Sequence, residues 1–422
     1  MRQVAAALVP AVATAVSQIN DGRVANGARR ALRAYCGKQR GARGAGPAMH
    51  VVDITMYYAR QGGGITTYLN AKADWLARRR QFRHTIVSPN VAGGDARVIG
   101  LPAIALPGIH GYRVPRGVSR PARVLRQLRP DLVEVGDAGP CAWAALRARQ
   151  RLDMPVVGFY HSDLHSLVEH SLGAAAAALA ARYLRALYRQ FDLVLTPSRI
   201  MQARLAALGV AGAVVQPLGA DCAVFSPARR DPALRRKLGL PPDARLLVYA
   251  GRFTPQKKLA LLAGALARLG RPYHLLLIGS GTAPPRSPHM TVLPFQGDQR
   301  ILARLLASCD VLVHPGDMET FGLIAIEAMA CGLPVLGTGG AVAELVDTET
   351  GLLVRPDSVD SLCEGIDALF RRDLNALGGN ARRKAQDLYD WNRVMPQLLR
   401  RYQGLLAAWP RAVERGYGLV RE

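Results

Sequence analysis

The chain has 422 residues, 50% of them hydrophobic, and a mean hydropathy of +0.07, which allows two substantial buried cores and suggests two domains. A formal charge of +24 points to an acidic partner, whether a nucleotide, an anionic bilayer or a nucleic acid, and does not choose among them. Six scattered cysteines without a C-x-x-C pair argue against a zinc site or a disulfide framework and fit a reducing cytoplasm, and no run reaches the roughly 18 apolar residues of a membrane-spanning helix.

Residues 1–48 differ in character from the rest. A short apolar stretch over 4–16 precedes a Gly-, Ala- and Arg-rich one over 22–46 with no persuasive cleavage site. The segment reads as a disordered or weakly helical basic extension able to touch lipid, or as sequence ahead of a true start at Met49. A strand is expected over 50–55. Gln61, Gly62, Gly63 and Gly64 then form a loop ahead of a helix over 65–79, an order that suits either a bound anion or a plain turn. Further strands are expected over 85–88, 132–135 and 155–160, the last running into His161. Ligands of a parallel sheet gather at strand carboxyl ends, so His161 stands where chemistry is expected, although a histidine there also reads as structural. A long Ala-rich helix over 164–190, interrupted near Gly173, leads to a strand and helix entry over 192–198. Pro and Gly density over 216–227 marks a domain boundary near Asp221.

A strand over 246–250 is expected to close on the loop GRFTPQKK, 251–258. Its Arg252 and Lys257 can converge on one diphosphate, the Arg as a planar fork and the Lys as a point charge, or remain solvated charges of a basic chain. A strand over 273–278 leads into a glycine turn at Gly279 and Gly281, and 292–295 precede Gln296. A buried strand over 311–313 ends at His314 and Pro315. After a loop, a helix over 321–329 is stopped by Gly332 and Pro334. Its first turn offers free N–H groups around Phe321, Gly322 and Leu323, a favourable place for phosphate. Glu319 in the loop and Glu327 inside the helix can border one cleft and accept hydrogen bonds from sugar hydroxyls. As a lone pair they would read as a cap and a solvated side chain.

The stretch ETFGLIAIEAMACGLPV, 319–335, resembles the hallmark of the retaining glycosyltransferases of family 4, two glutamates eight residues apart followed by A-M-A-x-G-x-P-V. The resemblance covers about 49–405. It implies an α/β GT-B fold, two Rossmann-like domains with parallel sheets facing a central cleft. The extension 1–48 would precede an acceptor domain over 49–221, a nucleotide-sugar domain over 222–389 and a terminal helix, 390–422, that crosses back. It further implies a G-G-x-x-x-Y loop (Gly63, Gly64, Tyr68) between donor phosphate and acceptor, and His161 close to the transferred sugar. Arg252 and Lys257 match the loop G-R-x-x-x-x-K-G, with Lys258 in place of its final glycine. Gly279 and Gly281 fall on the phosphate side, Phe295 at the nucleobase. Glu319 would face the donor sugar, the amides of Phe321, Gly322 and Leu323 the diphosphate, and Glu327 the ribose.

The implied reaction moves a sugar from a UDP- or GDP-linked donor to a hydroxyl of a glycolipid or cell-envelope polysaccharide precursor, with retention and through a front-face route. No D-x-D triplet is present to hold a metal, so a metal-independent reaction without a cofactor is expected. The expected place is the cytoplasm, with possible contact to the inner membrane face. A GT-B phosphorylase or nucleotide-sugar epimerase is the neighbouring alternative. A basic nucleic-acid-binding module is the distant one; for it the chain lacks a reader motif and has few aromatic residues, 6%.

Overall fold

A computed structural model describes residues 48–59, 62–91, 96–105 and 112–409; the expectations for 1–47 and for Gln61 lie outside these residues. The chain forms two compact units. One comprises the described residues up to Pro197, Met201–Gln216 and those from Met395 onward; the other comprises Ser198–Ile200 and Pro217–Val394.

The first unit is built on short apolar runs such as VVDI, LVEV and VVGF, which are buried on both faces as parallel strands require. Its strands are β1 (Met49–Ile54), β2 (Phe82–Ser88), β3 (Val98–Gly100), β4 (Ala103–Ala105), β5 (Arg113–Pro115), β6 (Leu132–Val135), β7 (Val156–Phe159), β8 (Leu193–Thr196) and β9 (Val214–Val215). Seven of them make a sheet in the order β3-β2-β1-β6-β7-β8-β9, while β4 and β5 pair separately. The Ala-rich stretch is two helices, Leu164–Leu172 and Ala174–Tyr188, parted by Gly173 at φ 84°.

The second unit holds β10 (Arg245–Phe253), β11 (Tyr273–Gly281), β12 (Met290–Pro294), β13 (Val311–His314), β14 (Val335–Gly337) and β15 (Gly351–Leu353), in the order β12-β11-β10-β13-β14-β15. Two expectations change here. First, β10 runs on to Phe253 and β11 to Gly281, so Gly251, Arg252, Gly279 and Gly281 lie in paired strands and not in turns. The pairing itself needs the glycines: a Cβ on Gly279 would stand 1.8 Å from the Gly251 carbonyl oxygen, and one on Gly281 2.3 Å from that of Phe253. Second, the helix expected over 321–329 begins at Leu323 and ends at Ala330. Gly322 adopts φ 92° and stops it from starting earlier, and a Cβ there would meet Val342 Cγ2 at 2.8 Å.

The boundary expected near Asp221 falls between Gln216 and Pro217. The Ala220 N–H donates to the Tyr389 carbonyl at 2.9 Å, which ties this segment to the second unit. The terminal helix Trp391–Ala407 joins the first unit from Met395, through buried Leu398, Leu399 and Tyr402.

Candidate active site

In the second unit, β13 ends at His314 and the chain folds back over 315–322 before entering the helix Leu323–Ala330. That return lies against the turn Pro255–Lys257, where a Cβ on Gly316 would come 3.1 Å from the Gln256 carbonyl. Proximity delivers Lys257 to Glu319: its Nζ donates to Glu319 Oε1, and His314 Nε2 lies 3.1 Å from the same oxygen. The other ring nitrogen of His314 is 3.1 Å from the Gly316 carbonyl. Burial pushes the Glu319 carboxyl up, but the Lys257 charge and the His314 hydrogen bond outweigh it and hold the group well below the usual carboxylate range.

Lys258 points elsewhere. It sits at φ 51°, and its Nζ meets Asp317 Oδ2 at 2.7 Å and Asp357 Oδ2 at 2.9 Å. The left-handed backbone explains why a glycine serves at this place in the motif, and the two aspartates explain how a lysine is held there. Lys257 is therefore the lysine that reaches Glu319. Arg252, at the exposed end of β10, is not brought to that pair; among the described residues its side chain has no ion-pair partner, and its carbonyl accepts from the Tyr249 hydroxyl at 3.2 Å.

No side chain caps the amino end of the helix Leu323–Ala330, which leaves the N–H groups of Leu323 and Ile324 open to a ligand, while that of Ala325 donates to the Gly322 carbonyl at 2.9 Å. Leu323 is half-buried there, while Phe321 is buried and packs edge-on to Tyr389 with ring centroids 6.1 Å apart. Glu327, one turn further in, is 7% exposed and its carboxyl has no hydrogen bond among the described residues; burial pushes it up to about 8. Phe295 follows β12 as an exposed ring.

In the first unit, His161 follows β7 and is buried, with its ring stacked on Phe159 at 3.9 Å. Burial pushes it down to about 3, so the imidazole is neutral at physiological pH. With Met56, Tyr57, Asp137, Ser162 and Leu164 it lines a pocket. Of the glycines ahead of the helix Gly64–Ala77, Gly62 is demanded by packing, since its Cβ would fall 1.8 Å from Thr66 Oγ1. A Cβ on Gly63 would meet nothing within 4 Å, and Gly64 opens the helix in an exposed position.

Sequence reasoning missed His314, which it treated only as a strand end. It also missed Asp137, whose buried carboxylate accepts from the N–H groups of Met56 and Gly139, both at 2.8 Å. Asp53, Lys72 and Glu134 were missed too, although a charge inside an otherwise apolar strand or helix face is a legible signal.

Comparison with known proteins shows the family and the fold. A family model described as Glycosyltransferase Family 4 matches residues 62–224, and one described as Glycosyl transferases group 1 matches 244–372. A GDP-mannose-dependent alpha-mannosyltransferase of Mycolicibacterium smegmatis is 30% identical over 378 residues, covering 85% of this chain and 98% of that protein. A GDP-mannose-dependent alpha-(1-6)-phosphatidylinositol dimannoside mannosyltransferase of Mycobacterium tuberculosis is 29% identical, covering 83% and 95%. Among solved structures, the sucrose-phosphate synthase of Thermosynechococcus elongatus superposes with a TM-score of 0.69 at 24% identity, covering 85% of this chain and all (100%) of that one. Anabaena Alr3699/HepE in complex with UDP and glucose gives 0.69 at 19%, covering 84% and 100%. With a mannosyltransferase aligned along nearly its whole length, both family models matched and a GT-B fold with a parallel sheet in each unit, the chain belongs to glycosyltransferase family 4 and is a glycosyltransferase that uses a nucleotide sugar.

Proposed function

We propose that this enzyme transfers a mannosyl residue from GDP-mannose to a hydroxyl of a glycolipid or envelope-polysaccharide precursor, with retention at the anomeric carbon. The observation that carries the reading is the Lys257–Glu319 pair lying just ahead of an uncapped helix. The names of the mycobacterial relatives support the donor; the runner-up is a UDP-linked sugar. Neither phosphorylase, epimerase nor nucleic-acid-binding readings gain support from the relatives.

In this reading the bond between the anomeric carbon and the diphosphate oxygen breaks, the acceptor oxygen bonds to the same face of that carbon, and its proton passes to the departing diphosphate. Negative charge builds on that diphosphate, and Lys257, Arg252 and the N–H groups at Gly322 and Leu323 offset it. Loss of one such preorganised donor typically costs roughly 3 to 4 kcal/mol. Those donors carry the task without a metal, so a chelator leaves the rate unchanged.

Glu319 accepts from hydroxyls of the donor sugar while it keeps Lys257 in place. Glu327, buried and unpartnered, takes the ribose hydroxyls. The neutral imidazole of His161 meets a hydroxyl of the transferred sugar, and Phe295 lies beside the base. Gly63 leaves room for the substrate ahead of the helix that Gly64 opens, while Gly279 and Gly281, bare because the pairing of β10 and β11 requires it, bring the end of β11 beside the phosphates.

A thermal-shift panel of GDP, UDP, GDP-mannose and UDP-sugars tests the donor, since a ligand of the native state raises its melting temperature. A shift with UDP-sugars and none with GDP would sink the donor assignment. Anomeric analysis of the product by NMR tests retention, and mass spectrometry of the reacting enzyme should find no glycosyl adduct on Glu319.

The acceptor reading extends to an anionic bilayer. Residues 112–130 contain six arginines and no acidic residue, and Arg113, Arg116, Arg123, Arg126 and Arg129 are exposed. Such a face suits acidic lipid. Flotation with phosphatidylglycerol vesicles, with and without residues 1–48, should show salt-sensitive binding; no binding of either form removes this part. No helix among the described residues is long and apolar enough to cross a membrane.

A further inference from the structure

Asp53 and Glu134 are register partners on the adjacent strands β1 and β6, so both carboxyl groups leave the same face of the first sheet. Lys72, from the helix Gly64–Ala77, meets Asp53 Oδ1 at 2.8 Å and Glu134 Oε2 at 3.3 Å. Tyr68, one turn earlier on that helix, donates its hydroxyl to Glu134 Oε1 at 2.9 Å. Tyr402, from the terminal helix, also donates to Glu134 and accepts from Lys72 Nζ at 2.9 Å. His84 of β2 closes the cluster on Asp53. All six side chains are buried.

Stability alone is a poor account of this cluster. Burying such charges costs several kcal/mol per ion, and a well-packed apolar filling is often as stable or more so. One ammonium also cannot serve two carboxylates fully, and two phenols are recruited to satisfy the second. What the cluster holds in place is Tyr68. The Tyr68 ring lies 5.3 Å from the His161 ring and 5.5 Å from that of Phe159.

His161 has no hydrogen bond through its side chain among the described residues, so nothing polar sets the direction of its nitrogens. That direction is set by packing, in which two aromatic neighbours take part beside the Gly136 backbone. Phe159 is fixed by the strand it ends; Tyr68 sits on a helix and is fixed through its hydroxyl.

We infer that Tyr68 is a positioning residue for His161, locked by its hydroxyl bond to Glu134, with Tyr402 completing the lock from the terminal helix. The inference rests on the reading that His161 meets the transferred sugar. It makes docking of the terminal helix a condition for a correctly aimed imidazole.

Y68F keeps the ring and removes the hydroxyl. It should lower kcat by about 10- to 100-fold, the scale of a misplacement near 1 Å, with little change in the KM of the donor. Y402F should act in the same direction but less, since Glu134 keeps one phenol. The effect must pass through His161, so adding Y68F to H161A should leave the residual rate within about 2-fold. An equal loss in both backgrounds, or an unchanged kcat in Y68F, overturns the inference. If H161A itself turns over like the parent, the reading of His161 fails, which is a different result. Where H161A is too slow to measure, 13C-histidine NMR decides: a displaced or broadened His161 resonance in Y68F supports the lock and an unmoved one refutes it. Should Y68F fail to fold, Y402F carries the same measurements.

Discussion

Lys257 and Glu319, 62 residues apart in sequence, share an ion pair whose accepting oxygen also faces His314. Lys257→Met should lower kcat by about 100- to 1,000-fold, as loss of a preorganised donor does. It should also change the acid side of the stability profile. The Glu319 carboxyl titrates lower in the folded chain than its ordinary 4.5, so its contribution is present above that value and is lost as pH falls through the folded one. Thermal melts from pH 3 to 7 should show a shallower acid loss in the variant.

Glu327 has the opposite sign. Burial raises it from 4.5 to about 8, so between those values the folded chain binds a proton that the unfolded chain has released. Stability therefore falls as pH rises across this window. Glu327→Gln should flatten that slope and raise the melting temperature at pH 8, while weakening the thermal shift produced by GDP. A variant that keeps the slope would place its origin elsewhere.

The two neighbouring lysines should separate by substitution. Lys258→Gly relieves a left-handed conformation that costs roughly 1 to 2 kcal/mol. It also removes a half-buried contact to Asp317 and one to the exposed Asp357, the second of a kind worth about 0 to 1 kcal/mol. The net change in stability should stay within about 1 kcal/mol and transfer should persist, in contrast to Lys257→Met. Parallel urea titrations and rate assays check both.

Two glycine variants should divide packing from approach. Gly279→Ala puts a methyl group onto the Gly251 carbonyl across β10 and β11, so the melting temperature should drop by several degrees or the chain should fail to fold. Gly63 has an ordinary φ of −84° and open space around it, so Gly63→Ala should melt like the parent. A loss of rate in Gly63→Ala would then report a substrate passing close to that backbone.

The motif from Glu319 to Val335 was legible because it is local: an apolar strand, a loop and a helix bounded by Gly332 and Pro334. The central strands of both units, such as β1, β6, β7, β10 and β13, were legible for the same reason, as short apolar runs, whereas the short β3, β4, β5, β9, β14 and β15 were not. The extended ends of β10 and β11 were not, because Gly251, Gly279 and Gly281 read as turn residues until each strand has the other beside it. His314 looked like the end of a strand, and only the return of 315–322 carries Glu319 back to it.

By themselves, the residues determined that this is a two-unit α/β protein and which glutamates and lysines were candidates, since those features follow from near neighbours in the chain. Only the tertiary structure decided that Lys257 and not Lys258 meets Glu319, and that Tyr402 reaches Glu134, 268 residues away in sequence. The physical reason is that a buried charge must find its partner in space, and strand register and helix docking, which set that distance, are properties of the folded chain.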